Sequence, residues 1–212
     1  MNHTVRLINA NAVDGIKEVI DDNKWVDSII TRFNMDYFYE DTLEETFDCV
    51  VKCMKAVLVS DGTVYIEVPL KYIPIVSYLF TKNCFVLQNI ITIPANPVKC
   101  CHPKKYIDNN KYILFFTHKE YPARYMNPVE HDENTCMCQF SSNWSWFEGS
   151  DIDAYRMMMR ISTDPHQVIL DPFMNEGDIG VAAILQDREF IGIECGRARL
   201  DDTYMRLADL GE

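Results

Sequence analysis

Strand-like and helix-like segments alternate along nearly the whole of this 212-residue chain, and that alternation constrains its fold more than any other feature. Short runs of β-branched and apolar residues predict strands over residues 5–8, 26–31, 63–68, 85–93, 112–117, 167–170 and 190–194. Apolar residues spaced three or four apart predict helices over residues 13–21, 43–59, 71–81, 152–162, 177–187 and 198–208. Gly62 is expected to end the second of these helices as a left-handed cap.

This order of elements is typical of βαβ units, in which parallel strands are joined by helices that cover the sheet. We therefore expect an α/β fold with a single, mostly parallel sheet and helices on both faces. The length fits one domain over residues 1–212, and a content of 48% apolar residues can supply its core. Ligands of such sheets bind outside the carboxyl ends of the strands, so site residues are expected there.

The N-terminal residues, MNHTVRLINANAVDG, lack the apolar run of a signal peptide. The most apolar stretch, residues 64–80, is interrupted by Glu67, Pro69, Lys71 and Pro74, which is unlike a membrane span. These features predict an intracellular, cytoplasmic protein that does not associate with membranes.

Charge is distributed unevenly along the chain. The formal net charge of −12 disfavours DNA and favours a protein as partner, although acidic residues on a surface also simply aid solubility. Positions 94–125 are the exception, with six basic and two acidic residues. Clustered Lys and Arg can neutralise nucleic-acid phosphates. The candidate nucleic-acid contacts are Lys99, Lys104, Lys105 and Lys111.

The eight cysteines of a chain without a secretion signal are expected to be reduced. Five residues are of the types that bind zinc in tetrahedral sites: Cys100, Cys101, His102, Cys136 and Cys138. Their spacing matches no common zinc finger, and neither cysteine pair is a CxxC motif. The sequence therefore predicts no metal site.

The most informative segment for function is residues 168–207, VILDPFMNEGDIGVAAILQDREFIGIECGRARLDDTYMRL. Its first strand ends at Asp171-Pro172-Phe173, a turn passes through Gly177, and the next strand ends at Glu194. Glycine lets the backbone approach a ligand, and an acid at the end of the second strand can accept both hydroxyls of a ribose. A generic strand–turn–helix unit would share the turn, but the full spacing is more specific.

This segment resembles the cofactor-binding end of the permuted (beta-class) DNA amino-methyltransferases, which methylate adenine N6 or cytosine N4 with S-adenosylmethionine. Their pattern is D-P-F-x-G-S-G-T-T, then A-A, then R-x-(F/Y)-I-G-I-E, then a helix ending in R-L. The matching positions are Asp171, Pro172, Phe173, Gly177, Ala182, Ala183, Arg188, Phe190, Ile191, Gly192, Ile193, Glu194, Arg206 and Leu207. The chain departs from the pattern at Asn175, Glu176, Asp178 and Ile179.

The resemblance extends to the N-terminal part. Residues 26–31, VDSIIT, match the family's strand before its catalytic motif, and Asn11-Ala12 align with its G-D-A-like turn. The resemblance implies a Rossmann-like S-adenosylmethionine-dependent methyltransferase fold, with S-adenosylmethionine as cofactor. Residues 94–150 would then form a reduced or irregular insertion in place of a target-recognition region. The cofactor-binding residues it implies are Asn11, Ala12, Asp171, Pro172, Phe173, Gly177 and Glu194.

The catalytic D-P-P-Y motif of that family has no gap-free counterpart here. In the family, the Asp side chain and a backbone carbonyl bind the target amino group, and the Tyr stacks on the flipped base. The corresponding residues run from Arg32 to Met35, R-F-N-M, and arginine cannot accept a hydrogen bond from an amino group. A shift of four residues would assign the catalytic roles to Asp36 and Tyr39.

Three hypotheses follow from these residues. The favoured one is a catalytically impaired DNA methyltransferase-like protein, a pseudo-methyltransferase that acts by binding a methyltransferase subunit or by self-association. The alternative is an active S-adenosylmethionine-dependent DNA adenine-N6 or cytosine-N4 methyltransferase that uses Asp36 and Tyr39. A third hypothesis keeps the cofactor pocket but uses it for other chemistry.

Overall fold

The computed structural model describes residues 4–33, 38–94, 110–118, 143, 147 and 149–210. Its strands are β1 (Val5–Ile8), β2 (Val26–Arg32), β3 (Leu58–Glu67), β4 (Phe85–Pro94), β5 (Asn110–His118), β6 (Val168–Asp171) and β7 (Glu189–Ile193). Its helices are α1 (Ala12–Asp21), α2 (Leu43–Val57), α3 (Ile73–Lys82), α4 (Asp151–Ser162), α5 (Asp178–Ile184) and α6 (Arg197–Ala208).

The described strands form one seven-stranded sheet in the order β1-β7-β6-β2-β3-β5-β4. β1, β7, β6, β2 and β3 are parallel to one another, whereas β5 is antiparallel to both β3 and β4. The chain continues from β6 to β7 on one side and from β2 to β3 on the other, so the strand order reverses between β6 and β2. In open α/β sheets such a reversal opens a crevice at the carboxyl ends of the strands.

Helices cover both faces of this sheet. α1, α2 and α3 pack on one face around residues such as Phe47, and α4, α5 and α6 pack on the other around residues such as Met158. The central strand β2 contributes Ile29 to the first core and Ile30 to the second, because successive side chains of a strand point to opposite faces. No helix within the described segments has both the length and the apolar character needed to cross a membrane.

The predicted α/β class and the mostly parallel sheet are confirmed, but the end of the second helix is not where the sequence suggested. α2 ends at Val57, and β3 begins at the next residue. Gly62 lies inside β3, so its prediction as a helix cap is wrong. A Cβ on Gly62 would lie 2.7 Å from the Leu58 side chain and 2.9 Å from the Asp27 carbonyl oxygen. Close packing therefore explains the glycine, without a left-handed conformation.

Part of the site predicted from the sequence lies outside the described residues. It comprises Asp36, Lys99, Lys104, Lys105 and the candidate zinc ligands Cys100, Cys101, His102, Cys136 and Cys138. Most of the insertion predicted over residues 94–150 lies there as well. The cofactor-binding candidates, Tyr39 and Lys111 all lie in described segments, so their positions relative to one another are defined.

Candidate functional site at the carboxyl ends of the strands

Two adjoining cavities open where the parallel strands end. One, of about 380 Å³, is lined by residues that follow β1, β6 and β7 and by the start of α1. The other, of about 270 Å³, is lined by the ends of β2 and β6 and by residues of α4 and α6. Phe173 lines both cavities. Because ligand pockets usually measure about 300–1,000 Å³, the two together suit a ligand of cofactor size.

The 380 Å³ cavity has mainly apolar walls. Four of the predicted cofactor-binding residues line it: Asn11, Ala12, Pro172 and Phe173. Asn11 also caps α1, since its Oδ1 accepts a hydrogen bond from the backbone N–H of Asp14 at 3.0 Å. Tyr39 lines the same cavity, with 84% of its surface exposed. The fold thus joins residues from the two ends of the sequence in one pocket.

The 270 Å³ cavity is polar. Its charged and polar groups come from separate elements: Arg32 from β2, Tyr155 from α4, Asp171 from β6, Asn175 and Glu176 from the turn after β6, Asp178 from α5, and Arg199 from α6. Within the described segments, neither these carboxylates nor any others form a group of three or more candidate metal ligands. The side chains that line this cavity offer hydrogen bonds and charges of both signs to a ligand.

Asp171 ends β6 and is 1% exposed. Its Oδ1 accepts hydrogen bonds from the Thr31 hydroxyl at 2.6 Å and from the Phe173 backbone N–H at 3.1 Å. Burial raises the pKa of the Asp171 carboxyl to about 7, although both hydrogen bonds and the charge of Arg32 act to lower it. Asp171 is therefore partly protonated at neutral pH, and a cation in the cavity would favour its charged form.

The turn after β6 depends on Gly177, which has a φ of +76° and directly precedes α5. A Cβ there would lie 2.4 Å from Thr203 Cγ2, so both the conformation and the space require glycine. Asp178, which departs from the family pattern, forms an ion pair with Arg206 at 2.8 Å. Arg206 also donates to the Glu176 carbonyl oxygen at 2.7 Å. Arg206 of α6 therefore stabilises this turn, and its positive charge neutralises the negative charge of Asp178.

Glu194, the predicted ribose acceptor, directly follows β7 and is covered by neighbouring groups. Its Oε1 accepts hydrogen bonds from the Gly196 backbone N–H at 2.6 Å and from Arg199 Nε at 3.2 Å. Its Oε2 accepts from the Asn175 backbone N–H at 3.2 Å. The Glu194 side chain is 0% exposed. It lines neither cavity, whereas Arg199 lines the smaller one and Cys195 the larger one.

Arg32, at the end of β2, lies where the resemblance implies a catalytic Asp. Its Nη2 donates to the Tyr155 hydroxyl at 3.0 Å and to Asp151 Oδ2 at 3.2 Å. The Tyr155 hydroxyl donates to Glu67 Oε2 at 3.1 Å, and Arg32 Nε lies 3.4 Å from the same oxygen. Burial alone would lower the pKa of the Arg32 guanidinium, but Tyr155, Glu67 and Asp151 outweigh burial and raise it. Lys111 pairs with Asp151 and completes what we term the Arg32 network.

Sequence reasoning missed three residues of this site: Tyr155, Glu67 and Arg199. Tyr155 lies one helical turn after Asp151, so the two share a face of α4. Glu67 ends β3, and the carboxyl ends of adjacent parallel strands lie side by side. The pairing of β2 with β3 predicts the proximity of Glu67 to Arg32, whereas the contact with Tyr155 also requires α4 to pack on the sheet. The contact of Arg199 with Glu194 has no comparable signal, because it depends on the side-chain conformation.

Comparison with known proteins identifies the same part of the chain. Residues 153–205 match the family of DNA methylases that modify N6 or N4 amino groups. This stretch runs from α4 into α6 and contains Asp171, Gly177 and Glu194. No curated protein sequence matches the chain.

Solved structures match over nearly the whole chain. The M1.HpyAVI–SAM complex has a TM-score of 0.77 at 21% identity, covering 96% of this chain and 100% of that one. TTHA0409, a candidate DNA modification methylase from Thermus thermophilus, has a TM-score of 0.77 at 18% identity, covering 98% and 95%. The PvuII cytosine-N4-specific DNA methyltransferase has a TM-score of 0.69 at 12% identity, covering 100% and 92%. At these identities the likeness shows a shared fold.

The fold is therefore that of S-adenosylmethionine-dependent methyltransferases, as the resemblance implied. The sequence match covers the segment that contains five of the seven predicted cofactor-binding residues, and the structural likeness covers nearly the whole chain. Together they show a fold shared with solved DNA methyltransferases over nearly the whole chain, and a match to the N6/N4 DNA methylase family over residues 153–205.

Proposed function

We propose that this chain is a DNA methyltransferase-like protein that holds S-adenosylmethionine, transfers no methyl group at the end of β2, and acts by binding a protein partner. The observation that carries the proposal is the Arg32 network. By the sequence resemblance Arg32 aligns with the family's catalytic carboxylate, and Tyr155, Glu67 and Asp151 hold its guanidinium at the end of β2. The partner is an active methyltransferase subunit or a second copy of this chain.

The site residues fit the parts of the cofactor. Apolar walls around Phe173 suit an adenine ring, and the partly charged Asp171 suits a cationic end. Glu194, which the resemblance assigns to the ribose hydroxyls, would first have to be uncovered. S-adenosylmethionine is present in the M1.HpyAVI complex and in a TTHA0409 complex, which matches with a TM-score of 0.75. When bound, this cofactor supplies an activated methyl group.

Arg32 is unsuited to prepare an amino group for methylation. A guanidinium has only N–H donors and stays protonated in proteins, so it cannot accept a hydrogen bond from an adenine or cytosine amino group. Tyr155 and the two carboxylates favour its charged form further.

A protein partner suits the surface better than DNA does. The net charge of −12 repels a phosphate backbone, and Lys111, a candidate phosphate contact, pairs with Asp151. α6 exposes Tyr204 and Met205, at 62% and 64% of their surfaces. Tyrosine and methionine are enriched at protein interfaces.

Calorimetry with S-adenosylmethionine, followed by labelled-methyl transfer to mixed-sequence DNA, tests the first two parts of the proposal. We expect binding and no transfer above background by the chain alone. Transfer by the wild-type chain would refute the loss of catalysis, and no binding at millimolar cofactor would refute the retained pocket. Sedimentation with and without a methyltransferase subunit tests the third part. If the chain stays monomeric and does not change the activity of the methyltransferase subunit, the proposed partner binding is refuted.

A second candidate function is the active methyltransferase that uses Asp36 and Tyr39. Tyr39 favours it, because its exposed ring lines the 380 Å³ cavity and is available to stack on a base. If this candidate is right, Asp36→Asn abolishes methyl transfer, while Asp41→Asn, at an exposed acid of the same segment, leaves it unchanged. Transfer that survives Asp36→Asn excludes this candidate.

A further inference from the structure

The carboxylate predicted to bind the ribose is covered by another side chain of the same protein. Arg199 Nε and Nη2 lie 3.2 Å and 3.1 Å from Glu194 Oε1. The Arg199 side chain is 44% exposed and lines the 270 Å³ cavity, whereas the Glu194 side chain is 0% exposed and lines neither cavity. A ligand in either cavity therefore meets Arg199 or Cys195 before it meets Glu194.

The backbone around this ion pair is adapted to it. A Cβ on Gly196 would lie 2.9 Å from Glu194 Oε1 and 3.1 Å from Arg199 Nε. A side chain at position 196 would thus push the carboxylate and the guanidinium apart. The close approach of Glu194 and Arg199 depends on glycine at this position.

We infer that Arg199 acts as a latch on the ribose subsite: its guanidinium holds Glu194 and must release it before a ribose can bind there. This inference rests on the proposed retention of an adenosyl ligand. The described partners of Glu194 other than Arg199 include the backbone N–H groups of Gly196 and Asn175, which the fold holds in place. A carboxylate offers about four acceptor positions, so two ribose hydroxyls compete directly with the guanidinium.

Arg199→Met tests the latch, because methionine keeps much of the apolar stem and removes the charge. The matched control is Arg197→Met, two residues away, which removes an exposed ion pair with Asp201. We measure binding of S-adenosylhomocysteine by calorimetry. Arg199→Met is expected to bind about tenfold more tightly than wild type, the size of one charge-assisted hydrogen bond, and Arg197→Met is expected to match wild type. Arg199→Lys, which lacks the planar fork, is expected to fall between them.

The ligand-free protein gives a second readout. A double-mutant cycle of Arg199→Met and Glu194→Gln, followed by thermal unfolding, is expected to show a coupling of a few degrees in Tm. If the Tm shifts of the two single variants simply add in the double variant, the two side chains do not pair. The inference would then be refuted, whatever the result of the binding experiment.

The binding outcomes separate this inference from the proposed function. If wild type binds S-adenosylhomocysteine and Arg199→Met binds it no more tightly, the latch is wrong and the retained pocket is right. If only Arg199→Met binds, the latch is right, and the proposal that the wild-type chain holds S-adenosylmethionine is refuted. If neither binds, the latch is not what excludes the ligand, and both the latch and the retained pocket are refuted.

Discussion

Replacement of Asp171 by asparagine is predicted to stabilise the fold, and more so at neutral and alkaline pH than at acid pH. Burial raises the pKa of this carboxyl to about 7, from an ordinary value of 3.8. Between those values the folded state binds more protons than the unfolded state, so the wild-type protein loses stability as the pH rises. Asparagine does not titrate, and its carbonyl oxygen can keep the hydrogen bonds from Thr31 and Phe173.

The size of the effect follows from the two pKa values of Asp171. Their separation of about three pH units corresponds to about 4 kcal/mol, at about 1.36 kcal/mol for each unit. We expect the free energy of unfolding of Asp171→Asn to exceed that of wild type by up to about 4 kcal/mol at pH 8, and by little near pH 4. Urea denaturation of both proteins at several pH values between these limits measures the difference.

Asp48→Asn is the control for that series. Hydrogen bonds from Lys52 and Asn83 lower the pKa of Asp48 to about 2, so its contribution is constant between pH 5 and pH 8. The difference between Asp48→Asn and wild type is therefore expected to be flat over that range. If the difference between Asp171→Asn and wild type is equally flat, or shrinks as the pH rises, the reasoning about Asp171 is refuted.

Further predictions concern the turn, the core and the acid limit of stability. Gly177→Ala should destabilise the protein by about 1–3 kcal/mol, because of its positive φ and the contact with Thr203; thermal unfolding measures this, and an unchanged Tm contradicts it. Phe47→Ala should cost about 3–5 kcal/mol in urea denaturation, because the ring is fully buried among other aromatic rings. Wild type should lose stability between about pH 4 and pH 2 as Asp48 protonates, whereas Asp48→Asn should lose less; equal losses would rule out this role.

Much of the fold was predictable because the hydrophobic period of each segment is a local signal, and the order of elements along the chain follows from it. The strands predicted over 167–170 and 190–194 coincide, within one residue at each end, with β6 and β7. Gly177, between these strands, and Glu194, directly after β7, match the methyltransferase pattern closely enough to locate the candidate site. Gly62 was misread because a glycine after a helical pattern is usually a cap, whereas here it makes room for Leu58 and the Asp27 carbonyl.

The parts of the site that could not be predicted depend on contacts between distant residues. Arg32 could be recognised from the sequence as an unsuitable catalytic residue, but its partners come from β3 and α4. Their contacts with Arg32 follow from strand pairing and from how α4 packs on the sheet. Likewise, the sequence places Glu194 at the end of a strand, but its contact with Arg199 follows from the conformation of both side chains.

The strand order also sets when the sheet can form during synthesis. β1 pairs with β7, with Val5 opposite Phe190, and β2 pairs with β6, with Ser28 opposite Ile169. β1 and β2 are therefore synthesised early, whereas their partners β7 and β6 are synthesised late. Contacts between residues so distant in sequence form slowly. Until then β2 has an open edge that other nascent chains can pair with. We expect this protein to need chaperone protection mainly before β6 and β7 emerge, and C-terminally truncated chains to aggregate rather than fold.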